Sequence, residues 1–169
     1  MARDKLQLHR APTFTLEPRT LSLVPKIYLA SASPRRQELL RQIGVEFDVL
    51  AVEVREDARP QELPADYVRR LACEKARTGF TGLARRGLAV RPVVGADTCV
   101  TIDGEILGKP RDRSDGLAML RRLAGRSHQV LTGVCVTTRA ARGQTVEHSA
   151  VSVSTVTFGP LSEQDIADY

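Results

Sequence analysis

The stretch Leu29-Ala30-Ser31-Ala32-Ser33-Pro34-Arg35-Arg36 places two hydroxyls and two guanidinium groups where a short apolar run turns into a helix. A helix N-terminus presents unpaired amide N–H groups and a partial positive charge. Ser31 and Ser33 add hydroxyl donors, and Arg35 and Arg36 add planar donor forks suited to phosphate oxygens. Such a set is a phosphate cradle built without glycine. From these residues alone, an ordinary capped helix with two solvated arginines stays open. Two arginines in a first turn oppose the helix dipole, so they call for some other reason.

Gly95-Ala96-Asp97-Thr98 is the second candidate. Strand alternation puts Asp97 on one face with Val93, Cys99 and Thr101, and Thr98 on the other with Ala96 and Val100. An acid in mid-strand is disfavoured, and burying its charge requires a cation or metal partner. It is therefore either a functional carboxylate or an edge residue facing water. Lys109 lies on the return strand. Counting outward from Asp103-Gly104, Lys109 falls opposite Thr98, and a bulge at Gly108 is expected to bring it round toward Asp97. Glu56-Asp57 reads as metal ligands or as solvated loop acids, and Lys75, beside Glu74, as a helix-surface lysine. His9, His128 and His148 are scattered and form no metal pattern.

The elements that must position these groups follow from local patterning. Ile27 to Ala30 reads as a strand. Ser33 is expected to cap a helix opened by Pro34, with Leu39, Leu40 and Ile43 as its buried stripe and Gly44 as its stop. Val45 to Val54 reads as a second strand and Arg55 to Leu63 as a loop. Pro64 to Thr78 reads as a helix with Tyr67, Val68, Leu71 and Ala72 inward. Asp103-Gly104 between Val93–Ile102 and Glu105–Leu107 is a two-residue hairpin signal. Asp112 to Ala124 reads as a helix with Leu117, Leu120 and Leu123 inward. Val130 to Thr138 and Val146 to Phe158 read as strands. Interleaved strands and helices predict an α/β fold with a mixed, twisted sheet and flanking helices. Ser162-Glu163-Gln164-Asp165 is a capping sequence, and the chain stops about two turns later. Either so short a helix packs as a stub, or the fold is C-terminally incomplete, and the second is expected.

Length and composition bound the rest. The 169 residues are 42% hydrophobic and 27% charged, which fits one domain with a real core. No apolar run approaches the ~20 residues of a membrane helix. The net charge of +5 suggests a nucleic-acid partner until it is located. Residues 1–26 hold five cations against two acids, so the other 143 residues carry only +2. With 4% aromatics and no basic stripe, nucleic-acid binding is not expected. The three cysteines are far apart with no Cys-x-x-Cys pair, which favours a reduced, cytoplasmic setting. Residues 1–25, with Pro12, Pro18 and Pro25, read as an extension outside the fold, and 26–169 as the domain.

Taken together, these segments resemble the Maf family of nucleoside triphosphate pyrophosphatases, from about Lys26 to Tyr169. The likeness rests on Leu29 to Arg36 with Glu38-Leu39-Leu40, Gly44, Glu56, Glu74-Lys75-Ala76, Gly95 to Thr98, Gly104-Glu105, Lys109-Pro110 and Val156-Thr157-Phe158. The resemblance implies a Maf/inosine-triphosphatase-like fold and hydrolysis of a nucleoside triphosphate to the monophosphate and pyrophosphate, as nucleotide-pool housecleaning. It implies a divalent cation, Mg²⁺ or Mn²⁺, held by Asp97 and Glu56. It casts Asp97 as proton acceptor with Lys109 and Glu56 as catalytic partners. Ser31, Ser33, Arg35, Arg36, Lys75 and Thr98 become substrate-binding positions. Arg35 after the proline and Thr98 after Asp97 are similar to the subgroup acting on dTTP and UTP; the 7-methyl-GTP subgroup has Trp and Gln there. A normal Asp is a weak base at neutral pH. Either burial raises its pKa, or a metal acidifies the water and Asp97 helps hold that metal. The family continues with a Gly-Ile-Gln-Gly-like motif past the last residue here. A catalytically incomplete nucleotide-binding or regulatory protein, and 7-methyl-GTP-type specificity, are the alternative readings. A homodimer is left open, and no membrane or nucleic-acid partner is implied.

Overall fold

The computed structural model describes residues 26–168; the expected extension at 1–25 lies outside the described residues. Strand β1 is Ile27–Leu29, helix α1 Pro34–Gln42, strand β2 Phe47–Val49 and helix α2 Pro64–Gly82. A 3₁₀ turn at Ala84–Arg86 leads to β3 (Val93–Ile102) and β4 (Glu105–Leu107). Helix α3 (Arg113–Leu123), the long strands β5 (Ser127–Arg139) and β6 (Thr145–Thr157), and α4 (Glu163–Ala167) follow. Among the described residues the sheet runs β2-β1-β3-β5-β6, with β4 paired to β3. β1 is parallel to both β2 and β3, and β4 is antiparallel to β3. The mixed α/β architecture expected from the sequence is present.

The chain divides into two compact units. Of the described residues, one holds 26–97 with Thr132–Ser152, and the other Thr98–Leu131 with 153–168. In the first, α2 turns one face inward: Val68, Leu71, Ala72, Lys75, Ala76, Gly79 and Phe80 are all buried. That is the 3.6-residue period of a core-facing helix, with one charged residue inside the stripe. Two glycines let α2 lie against the strands. A Cβ on Gly95 would collide with the Ala72 carbonyl and come 2.6 Å from the Ala76 nitrogen. A Cβ on Gly133 would collide with the Val68 carbonyl and lie 2.6 Å from the Val68 carbonyl carbon. These neighbours are main-chain atoms and cannot swing aside. A second cluster, Tyr28, Ala30, Leu50, Phe80, Leu83 and Val93, seals the β1–β3 side of the helix.

The segment after β2 has no regular structure up to Pro64, as expected from Arg55 onward. It is fastened to α2 by Arg70. The guanidinium donates from Nε to Glu62 Oε1 at 2.6 Å and from Nη2 to Glu62 Oε2 at 2.7 Å. Nη2 also donates to the Asp57 carbonyl at 3.1 Å. The Glu62 side chain is only 8% exposed. The Arg70 hydrogen bonds hold its carboxyl down at about 2, against the penalty of burial.

In the second unit, Asp103 and Gly104 both take positive φ and close the β3–β4 hairpin in the expected register, Val100 facing Leu107 and Ile102 facing Glu105. Asp112 caps α3 by accepting from the Asp115 amide. The Ser162–Asp165 capping box opens α4 with both reciprocal bonds formed. Arg113 donates to the Ala167 carbonyl at 2.7 Å and Arg121 pairs with Glu163, tying α4 to α3.

Several expectations need correction. α1 buries no side chain; Leu39 is 53% and Ile43 65% exposed. Their helical spacing is real, but no element covers that face among the described residues. Ser33 occupies the N-cap with Pro34 at the first turn, yet its side chain makes no capping bond. β2 is three residues long, not ten, because it has a parallel partner only where β1 runs. α2 continues to Gly82, β5 begins at Ser127, and Leu117 and Leu120 are only half-buried. The β3–β4 ladder is regular over three pairs and ends at Leu107, so pairing stops before Gly108 and Lys109.

Two outcomes follow. Gly95→Ala drives a Cβ into the α2 backbone and should cost at least ~2 kcal/mol in denaturant unfolding. Gly116→Ala, which meets only Pro110 Cβ at 3.5 Å inside a helix, should be neutral or stabilising by up to ~1 kcal/mol. Equal effects would show that the close helix–strand approach is not what Gly95 provides. Glu62 titrates lower when folded than when unfolded, so its contribution is present above about 4.5 and lost as pH falls toward about 2. The gap in melting temperature between the wild type and Glu62→Gln should therefore narrow between pH 5 and pH 2; a constant gap would contradict the pairing.

Candidate active site

Lys75 lies one turn along α2 from Leu71 and Ala72, inside the buried stripe, so its four-carbon stem packs in the core. Its ammonium donates to Asp97 Oδ1 at 2.6 Å and to Glu56 Oε1 at 2.8 Å. The Lys75 and Asp97 side chains are each 10% exposed, and Glu56 39%. A helix, a strand and an irregular loop thus meet at one ammonium. The buried charges are compensated: one cation sits between two carboxylates. Asp97 is neither an edge acid in water nor unpaired, and Lys75 is not a surface lysine. Glu56, the loop residue, keeps one flank open to solvent.

The approach of α2 makes this reach possible. Gly95 stands against Ala72 and Ala76, and Asp97 is two residues farther along β3, on the same side of the strand. Lys75 is on the same helical turn as the residues that touch Gly95.

The hydroxyl and arginine group is built at the end of β1. Ser31 is buried, and its Oγ accepts from the Ser33 amide at 3.3 Å and from Arg36 Nη1 at 3.1 Å. Ser33 is half-buried and Arg35 is exposed. Parallel register relates this group to Asp97. Leu29 pairs with Val94, so two residues on Ser31 comes level with Ala96 of the neighbouring strand. The Ala30 amide donates to the Val94 carbonyl at 2.8 Å, which carries the pairing past the end of β1. Ser31, just past the end of β1, thus stands across from the residue before Asp97, which lies in the middle of β3. Strands of a sheet lie about 4.8 Å apart, so the backbones at Ser31 and Ala96 are neighbours across the sheet.

Thr98 and Lys109 belong to the other compact unit, where both are exposed. Among the described residues no cluster of three or more His, Cys, Asp or Glu side chains occurs. The donor set of Glu56 and Asp97 still suits a hard divalent ion, since Mg²⁺ is commonly held by one or two carboxylates together with substrate phosphates. A shallow groove of about 580 Å³ runs between the end of α1 and β2, lined by Lys26, Arg41 and Phe47 among others, and contains none of these residues.

Four contributors carry no site signal of their own in the sequence. Gly95 reads in the sequence only as part of a motif, whereas its role is to let the helix approach. Tyr67 was assigned to the core, yet its hydroxyl donates to the Glu56 carbonyl at 2.8 Å. Arg70 and Glu62 carried no assignment. The spacing Tyr67, Arg70, Glu74 on one helix face was the available signal.

A family model described as Maf-like protein matches residues 26–169. The chain is 49% identical over 151 residues to a dTTP/UTP pyrophosphatase of Ralstonia nicotianae, covering 86% of this chain and 71% of that protein. It is 46% identical over 167 residues to the dTTP/UTP pyrophosphatase of Burkholderia pseudomallei, covering 95% and 74%. For the dTTP/UTP pyrophosphatase of Escherichia coli the values are 47% over 143 residues, 85% and 68%. Among solved structures, a HAM1 protein from Coxiella burnetii aligns with a TM-score of 0.49 at 18% identity, over 77% of this chain and 71% of that one. With the family model spanning the whole described region and such relatives at nearly half identity, the chain belongs to the Maf family.

Proposed function

We propose that the chain hydrolyses nucleoside triphosphates of the dTTP/UTP type to the monophosphate and pyrophosphate, clearing the nucleotide pool. The observation that carries this reading is the buried Lys75 ammonium between the Glu56 and Asp97 carboxylates, one strand away from the Ser31–Arg36 pair. The naming of the relatives supports the substrate class.

In this reading a water attacks the α-phosphorus, a P–O bond forms, and the bridging bond to the β-phosphate breaks. Asp97 Oδ1 is engaged by Lys75, which leaves Oδ2 to take the proton of the attacking water. Negative charge gathers on the departing pyrophosphate, and Arg36 and Lys75 are the fixed cations that stabilise it. Ser31 holds the Arg36 fork in place. Glu56 and Asp97 would hold a divalent cation, which when bound neutralises phosphate charge and draws electrons from the reacting phosphorus. Ser33 and Arg35 serve the phosphates from the first turn of α1. Roles for Thr98 in base selection and Lys109 beside the leaving group are proposed on the resemblance alone. All three cysteines are free thiols, in keeping with a reducing cytoplasm. Among the described residues no helix is long and apolar enough to cross a membrane.

With Mg²⁺, the chain should release pyrophosphate from dTTP and UTP faster than from 7-methyl-GTP. Asp97→Asn should lower kcat by about 100-fold or more while nucleotide binding persists, since a general base contributes that much. A fully active Asp97→Asn would remove the base role. Nucleotide-dependent thermal stabilisation without any pyrophosphate would point instead to a binding protein.

A further inference from the structure

Glu56 differs from its two partners in having no regular element to hold it. Lys75 is fixed in α2 and Asp97 in β3, but Glu56 sits in the irregular segment between β2 and α2. A carboxylate on such a segment stays against an ammonium only if its own backbone is held. Two side chains of α2 do this. The Tyr67 hydroxyl donates to the Glu56 carbonyl at 2.8 Å, and Arg70 Nη2 donates to the next carbonyl, Asp57, at 3.1 Å. Arg70 is itself fixed by the fork on Glu62 and lies over the Tyr67 ring at 5.6 Å. Glu62 also accepts from the Arg59 amide at 3.0 Å, which closes the loop on its far side. The contacts read main chain on one side of the loop, so they set where Glu56 can reach rather than touching its carboxylate.

We propose that Tyr67 and Arg70 are positioning residues that hold the Glu56 carboxylate against Lys75, and through it keep the site competent for its divalent cation. This rests on the pyrophosphatase reading above. Neither residue touches the reacting phosphates. Their contribution passes through Glu56, so it disappears once Glu56 can no longer act.

The test is a double-mutant cycle on the full chain with Tyr67→Phe, Arg70→Lys and Glu56→Gln. Two quantities are read: kcat and KM for UTP, and the Mg²⁺-induced tightening of a non-hydrolysable α,β-methylene UTP by calorimetry. Tyr67→Phe removes one hydroxyl and Arg70→Lys keeps the charge but loses the fork, so both should fold, with melting temperatures reporting it. Each should lower kcat about five- to ten-fold with KM little changed, as expected for a misplaced group. Each should also reduce the Mg²⁺-induced tightening. Adding Tyr67→Phe to Glu56→Gln should cost nothing more in either quantity. If Tyr67→Phe and Arg70→Lys match the wild type while Glu56→Gln is impaired, the positioning role is overturned and the site reading stands. An undiminished further loss from Tyr67→Phe in the Glu56→Gln background overturns it too. If Glu56→Gln itself matches the wild type in both quantities, the site reading falls, and the positioning role with it.

Discussion

Helix α2 can lie against β3 and β5 only where side chains are missing, and the rest of the site depends on that approach. Gly95 and Gly133 put strand backbone directly under the Ala72, Ala76 and Val68 main chain. A lysine side chain has limited reach, so the depth of the helix decides whether its ammonium meets a strand carboxylate or falls short. At the observed distance Lys75 reaches Asp97 at 2.6 Å with most of its stem in the apolar layer. A helix pushed outward by even one methyl-sized step would leave an acid and an amine buried apart. That is the expensive arrangement, since an uncompensated buried ion costs far more than a paired one.

The pairing also explains why three separate segments are needed. One ammonium facing one carboxylate would be a neutral, inert pair. A second carboxylate from the loop gives the cluster a net negative charge and leaves one flank at the surface, since Glu56 is 39% exposed. Such a cluster attracts a cation and, with it, the polyphosphate that cation accompanies. The positive partners stand on the neighbouring strand end, with Arg36 held by Ser31. Parallel pairing of β1 with β3 sets Ser31, just past β1, across from the residue before Asp97.

Features that depend on local chemistry were legible in the residues. The Asp103-Gly104 hairpin, the Ser162–Asp165 box and the Pro34 helix start follow from backbone and capping preferences within four residues. Features that depend on distant neighbours were not. Leu39 and Ile43 have core-like spacing, but spacing states which face a residue shares and not whether anything covers it. Residue type alone marks Lys75 as a surface side chain, though its place in the run from Val68 to Phe80 turns it inward. The function of Gly95 lies in atoms of a helix some twenty residues earlier in the chain. The Arg70–Glu62 fork joins a helix to a loop with no pattern of its own, so nothing in the periodicity marked it. The family motifs supplied what the pattern lacked: they named Asp97, Lys75 and Glu56 together, and the fold brings those three into contact.

The bare flanks of α1 have a consequence for how a triphosphate would be gripped. A nine-residue helix that buries no side chain gains almost nothing from tertiary packing and is marginal by itself. It opens at low energetic cost, whereas α2 opens only with the core. Arg35 therefore rides on a pliant arm, while Arg36, tied to buried Ser31, and Asp97 with Lys75 are set in a stiff bench. The arm can adapt to where the phosphates lie, and the groups that must meet one reacting atom do not have to move.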